Sequence, residues 1–255
     1  MDFQRVHREH HVKVELDDGI ALVTLDRPER KNAINAAMHR GLEIVFHELS
    51  YHPDVRVIVL TGAGDAFSSG GDRKEYGGSS STLENFRNRD LPWAMVRCEA
   101  PILAAVNGPA RGLGASIALL CDVCYMADTA SSGDVHTQWG LPAGDGGQVI
   151  WPLLVGPNIA KEHLMRGTAI DAQEAERIGL VNRTFPKSRL LEETMTCARD
   201  IAARPPMGVR WTKLAVNKML VNQLNLNLEL GLAAEFLAAQ GAKTLSDVKR
   251  RSESS

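Results

Sequence analysis

Two glycine-rich loops, each placed directly after a β-branched apolar run, are the first features of this chain with chemical potential. The first run, residues 55–60, leads into Thr61-Gly62-Ala63-Gly64 and then Phe67-Ser68-Ser69-Gly70-Gly71-Asp72. The second, residues 101–106, leads into Asn107-Gly108-Pro109-Ala110-Arg111-Gly112-Leu113-Gly114 and a short apolar helix. Glycines in series let backbone N–H groups face a cleft with no Cβ in the way. The helix N-terminus near Gly112 adds free N–H groups and the positive end of a helix dipole. Either loop alone reads as a surface turn. After two adjacent parallel strands, the pair would open on one crevice, where two amides can grip one oxygen as negative charge builds on it. A dinucleotide-binding reading of Gly62 and Gly64 fails, because Phe67 stands where a third glycine belongs.

The elements that must position these loops follow from length and periodicity. The chain has 255 residues, 44% of them hydrophobic, which suits one large domain or a domain with a small appendage. A net charge of -2 gives no basic field for nucleic acid or an anionic membrane. Four cysteines read as reduced core residues, Cys121-x-x-Cys124 included. His7, His10 and His11 have no second half-site, and no metal is expected. No apolar run reaches the ~18 residues of a membrane span, and the polar start shows no signal peptide, so the expected location is the cytoplasm. A hairpin is predicted over residues 12–25 around Asp17-Asp18-Gly19. Helices are expected over 36–50, 85–98, 115–120, 159–166, 172–178 and 190–203, and strands over 55–60, 101–106 and 123–127. Two amphipathic helices, 207–220 and 226–240, then precede a polar tail expected to fray. The pattern is α/β: a core over 1–200 and a helical region over 201–255.

The order of motifs resembles the crotonase (enoyl-CoA hydratase/isomerase) superfamily over roughly residues 12–240. The resemblance rests on Asp26-Arg27-Pro28-Glu29-Arg30-Lys31-Asn32-Ala33-Ile34-Asn35, on both glycine loops with the strands before them, and on Cys121-Asp122. Gly140-Leu141, Gly144-Asp145-Gly146-Gly147 and the Ala175 to Val181 step continue it. It implies stacked ββα turns, a C-terminal helical trimerisation region, a homotrimer or dimer of trimers, and an acyl-CoA or related carbonyl substrate. Coenzyme A would arrive as part of that substrate, with no separate cofactor. The two oxyanion N–H donors map to Gly71 and Leu113. Arg30, Lys31, Ala33, Asp72, Arg73 and Lys74 map to the CoA-contacting positions.

The acids depart from the family pattern. Ser116 and His136 stand where family hydratases carry their two glutamates. His136 and Asp145, with Gly140 and Gly144 between them, can fold toward each other. A histidine with a pKa near ~6.5 exchanges protons at neutral pH, and an aspartate on its other ring nitrogen would fix the tautomer. Asp145 is also a natural N-cap for the helix that follows. A narrower resemblance, to the 6-oxocamphor hydrolase (β-diketone hydrolase) branch, adds Glu235 and, more weakly, His39 to the site; that branch has a histidine where this chain has Gly114. Otherwise Glu235 reads as a solvated face residue. Three functions are carried forward: an enolate-stabilising acyl-CoA lyase or isomerase, a CoA-independent C–C hydrolase of a 1,3-diketone, and a non-catalytic acyl-CoA-binding subunit.

Overall fold

The computed structural model describes residues 2–72 and 87–253, with side chains to residue 241. It opens with a helix not foreseen from the sequence, α1 (Phe3–His10), capped by Asp2 and burying only Val6. One apolar residue is too faint a signal for periodicity to register. His7 and His10 are spent on structure: His7 Nε2 lies 2.7 Å from Asp26, and His10 Nδ1 lies 2.9 Å from the Ala37 carbonyl.

The hairpin forms as expected. Strands β1 (Val12–Asp17) and β2 (Ile20–Leu25) pair antiparallel around Asp18 and Gly19, both at positive φ. Helix α2 (Ala36–Tyr51) starts where the Asn35 side chain accepts from Met38 N, and it buries Met38, Leu42, Val45, Phe46 and Leu49. Strands β3 (Val57–Gly62) and β4 (Ile102–Val106) are nearly continuous apolar runs with buried side chains, as parallel strands covered on both faces require. Between them lies α3 (Asp90–Arg97). After β4 come β5 (Ala110–Arg111), α4 (Leu113–Leu120) and β6 (Val123–Ala127).

Next are β7 (Ser131–Gly133), α5 (Gly147–Val155), α6 (Pro157–Arg166), β8 (Ile170–Asp171), α7 (Ala172–Arg177) and β9 (Arg183–Phe185). The main sheet has the order β1-β2-β3-β4-β6-β9, parallel from β2 onward, and β5-β7-β8 form a second sheet. The second sheet was not foreseen, since two- and three-residue strands carry no periodicity. Helix α8 (Lys187–Ala202) packs against β3, β4 and β6.

At the C-terminal end the helices are α9 (Pro206–Val216) and α10 (Lys218–Glu253). Two helices with a break before residue 226 and a frayed tail were expected; instead one helix runs unbroken to Glu253. Residues 218–240 contain no proline, and Leu224, Leu228 and Leu232, spaced by four, hold one side of the helix buried. No helix among the described residues is long and apolar enough to cross a membrane.

Helix α9 is tied to the core by an ion pair whose lysine is buried. Lys213 Nζ lies 2.8 Å from Asp122 Oδ2 and donates to the Ala100 carbonyl at 2.9 Å. Asp122 Oδ2 also accepts from Ile102 N, so the pair anchors the start of β4. Lys213→Ala would leave the Asp122 carboxylate without its cation and the buried Ala100 carbonyl without its donor, a loss of about 1–3 kcal/mol. Urea unfolding is expected to show that loss, and Lys213→Arg to recover part of it.

Candidate functional site

Strands β3 and β4 pair in parallel, Leu60 opposite Ala104 and Thr61 opposite Ala105, so both glycine loops leave the same end of the sheet side by side. Two asparagines shape them. Asn107 Nδ2 donates to the Gly62 and Gly64 carbonyls at 2.9 and 3.0 Å, and its Oδ1 accepts from Gly62 N. Asn32 Nδ2 donates to the Ala63 and Ala66 carbonyls at 2.9 and 2.8 Å. The loops then bond directly to each other: Ser68 N donates to the Pro109 carbonyl at 3.2 Å and Arg111 N to the Ser68 carbonyl at 3.0 Å.

Gly70, at φ +91°, makes that approach possible; a Cβ there would stand 2.7 Å from the Arg111 carbonyl oxygen and 3.6 Å from Leu113 N. On the other flank, Ile34 N donates to the Gly70 carbonyl and Asp72 N to the Ile34 carbonyl. In a parallel bridge these bonds use the residues either side of Gly71, which turns Gly71's own N–H the opposite way. Leu113 is the first residue of α4, where backbone N–H groups have no partner in the helix. Neither Gly71 N nor Leu113 N donates to another protein atom among the described residues.

His136 begins a single 3-10 turn (His136–Trp139) after β7. Its ring lies against the second loop: a Cβ on Gly112, at φ +47°, would be 3.2 Å from His136 Cε1. Nε2 is 3.4 Å from Asp145 Oδ2 and 3.9 Å from Glu235 Oε1. Nδ1 is 2.7 Å from Asp134 Oδ1, which also accepts from His136 N at 3.1 Å. The expectation that Asp145 fixes the tautomer from the other ring nitrogen is therefore corrected: Asp134 holds Nδ1, and Asp145 faces Nε2. Asp134 escaped the sequence reading, although an aspartate two residues before a histidine can bond that residue's backbone N–H.

Ser116 Oγ donates to Asp145 Oδ1 at 3.1 Å and so steadies the aspartate. Glu235 is no solvated face residue; its side chain is only 25% exposed. Helix α10 delivers it by pressing Gly231 onto the Gly144 turn, so tightly that a Cβ on Gly144 would be 2.4 Å from the Gly231 carbonyl oxygen. Gln148 Nε2 donates to the Asn227 carbonyl at 2.8 Å, and Asn227, Gly231 and Glu235 share one face at steps of four.

The CoA-contacting expectations fall out unevenly. Arg30 and Lys31 are exposed beside the first loop, with Ala33 buried next to them. Asp72 turns inward instead: its carboxylate is buried, 3.1 Å from Arg27 Nη1, and that pair clamps the opening loop to the first glycine loop. Arg27, which also donates to the Ala33 carbonyl, was missed because a buried arginine looks like any loop cation in sequence. Arg73 and Lys74 lie outside the described residues. His39 is buried but pairs with Glu43 at 2.8 Å and is not among the partners of His136. Trp151 is fully buried, whereas Trp139 is half exposed. Cys121 and Cys124 are buried free thiols, pushed up by burial. Asp134, His136 and Asp145 place ligand-type atoms within 4.8 Å of one another. Within that group the 2.7 Å contact of Asp134 with His136 is a hydrogen bond.

The cluster's proton affinities follow from burial and charge. Burial opposes a charged His136, but Asp145, Asp134 and Glu235 together prevail and raise it from 6.5 to about 10. Burial first, and then Asp145, raise Glu235 from 4.5 to about 8. Burial raises Asp145 too, against the pull of His136. A group that binds protons more tightly when folded stabilises the fold less as pH rises from its unfolded to its folded pKa. His136 loses its contribution between 6.5 and about 10, and Glu235 loses stability between 4.5 and about 8, both in the same direction. The unfolding midpoint is thus expected to fall steadily above pH 6.5, and His136→Gln to flatten the alkaline part of that fall in a thermal series.

Comparison with known proteins identifies the fold and the family. A solved enoyl-CoA hydratase/isomerase from Mycobacterium paratuberculosis superposes with a TM-score of 0.85 at 36% identity, covering 90% of this chain and 94% of that one. An enoyl-CoA hydratase from Bacillus anthracis gives 0.78 at 30% identity, covering 95% and 96%. The fold is the crotonase fold. The enoyl-CoA hydratase/isomerase family model matches residues 15–243. A hydroxycinnamoyl-CoA hydratase-lyase of Pseudomonas fluorescens is 36% identical over 210 residues, 79% of this chain and 76% of that protein. The chain belongs to the enoyl-CoA hydratase/isomerase family.

Proposed function

We propose that this protein is an acyl-CoA enzyme that stabilises an enolate between the Gly71 and Leu113 amides, with His136, Asp145 and Glu235 handling protons in place of the two hydratase glutamates. The observation that carries this reading is the bonded pass of the two glycine loops. It leaves both N–H groups without acceptors among the described residues and sets the His136 ring against Gly112. A thioester oxygen held there gains charge as its α-carbon becomes an enolate, and amides fixed in advance stabilise that charge without reorganising. Arg30 and Lys31 would meet the phosphates of CoA, with Ala33 at the adenine. Exposed Trp211, Met219, Leu226, Leu230 and Leu237 supply an apolar surface for the trimer the family suggests.

One observation favours a second reading, hydrolysis of a C–C bond in a 1,3-diketone. Three acids around one histidine suit activation of water better than addition of water to a double bond. Against it, a side chain at Gly114 would collide with Ser68, whose Cβ is 2.6 Å from the position a Cβ would take. The histidine of the diketone hydrolases has no room here.

The reading is tested by calorimetric titration with CoA and by turnover of crotonyl-CoA, a β-ketoacyl-CoA and a cyclic 1,3-diketone. CoA binding with thioester turnover is expected, falling at least ~100-fold in His136→Ala, the range lost with a general acid or base. Diketone cleavage without CoA binding would establish the second reading, and CoA binding with no turnover would make the chain a binding subunit.

A further inference from the structure

The two ring nitrogens of His136 have different surroundings, and their roles follow from that. Asp134 is buried, its side chain 1% exposed, and one of its oxygens accepts both the backbone N–H and the ring nitrogen of the same residue. Its second oxygen is walled in at Gly147, where a Cβ would be 2.3 Å away. With Gly112 on the ring, the imidazole is held in one orientation. Nε2 then faces two acceptor oxygens, Asp145 Oδ2 at 3.4 Å and Glu235 Oε1 at 3.9 Å. A neutral ring with its proton on Nδ1 would aim a lone pair at those oxygens; a proton on Nε2 removes that conflict.

We propose that Asp134 is the positioning residue of this site: it holds the Nδ1 proton, aims Nε2–H at the reacting carbon, and so makes His136 the proton donor and Asp145 the acceptor. This rests on the enolate reading for the identity of the reaction. In the forward step Asp145 takes a proton from a substrate carbon, whose C–H electron pair is released, or from water, whose oxygen bonds the β-carbon of a double bond and releases its π pair. The electron pair released moves into the enolate, whose oxygen the two amides hold. The Nε2–H bond then breaks and its proton goes to the enolate carbon. The proton on Asp145 crosses the 3.4 Å to Nε2 and restores the starting pair, so no oxidant or outside acid is required.

The charged groups facing the ring are Asp134 from its own segment, Asp145 from the turn before α5, and Glu235 from α10. Helix α6 meets the same turn through the Leu164 carbonyl, bonded by Thr137, and through its C-cap Gly167, bonded by Gln138, while α4 contributes the neutral Ser116. Asp134→Asn keeps an oxygen for both hydrogen bonds and removes the charge alone.

The test is nitrogen NMR on histidine-labelled full-length protein, wild type and Asp134→Asn, with thermal unfolding as the check on folding. In the wild type, His136 is expected to carry both ring protons at pH 7. In Asp134→Asn its titration should move down by about 1–3 units, the effect of removing one adjacent opposite charge. On whichever thioester of the panel is turned over, kcat should fall with KM unchanged, and the alkaline limb of the kcat profile should move to lower pH. A wild-type His136 with a single ring proton at pH 7 overturns the proposal even should the variant fail to fold. So does a folded Asp134→Asn with an unmoved titration, since a merely structural aspartate would leave it in place. Failure of every thioester would count against the enolate reading alone, because the NMR arm needs no substrate.

Discussion

The close pass of the two glycine loops is the constraint on which the rest of the site depends. Two hydrogen bonds, to Ser68 and from it, join the loops. Each such bond is worth only about 1 kcal/mol net, so bond strength does not set the geometry. Steric fit does: at Gly70 a side chain would push against the Arg111 carbonyl and open the pair. The same second loop supplies Leu113 N and the Gly112 surface on which the His136 ring lies. The amides and the imidazole are therefore set by one contact, and moving one loop would move all three.

Around that frame Asp134, Asp145 and Glu235 gather about one imidazole, with Ser116 bonded to Asp145. Burying several charges is costly unless they are paired and hydrogen-bonded. Here the pairing is dense: Asp134 accepts two bonds from His136, and Asp145 accepts from Ser116. Glu235, the least bonded, meets its burial by holding its proton to about pH 8. The arrangement favours one positive ring among acids over two free carboxylates, which is a site for donating protons as much as for taking them.

Helix α10 serves two sides of this design. One face carries Leu224, Leu228 and Leu232 into the core and Glu235 into the site, with Gly231 as the point of closest contact. Another face leaves Leu226, Leu230 and Leu237 exposed.

Much of this was legible in the residues. The runs 55–60 and 101–106 declared parallel strands because both faces are apolar, and the glycine loops after them declared a shared crevice. His136, Asp145 and Glu235 were named from motif order, and the structure brings them together. What stayed hidden was whatever depends on contacts distant in sequence or too short to show a period. Asp72 reads as a loop anion until Arg27 is folded against it. Helix α1 has one buried residue, and the second sheet is built from strands of two and three residues. The order of motifs pointed to the family and to His136, Asp145 and Glu235; only the tertiary structure added Asp134 and decided which aspartate holds which ring nitrogen. That choice turns on distances of an ångström between segments that sequence spacing cannot resolve.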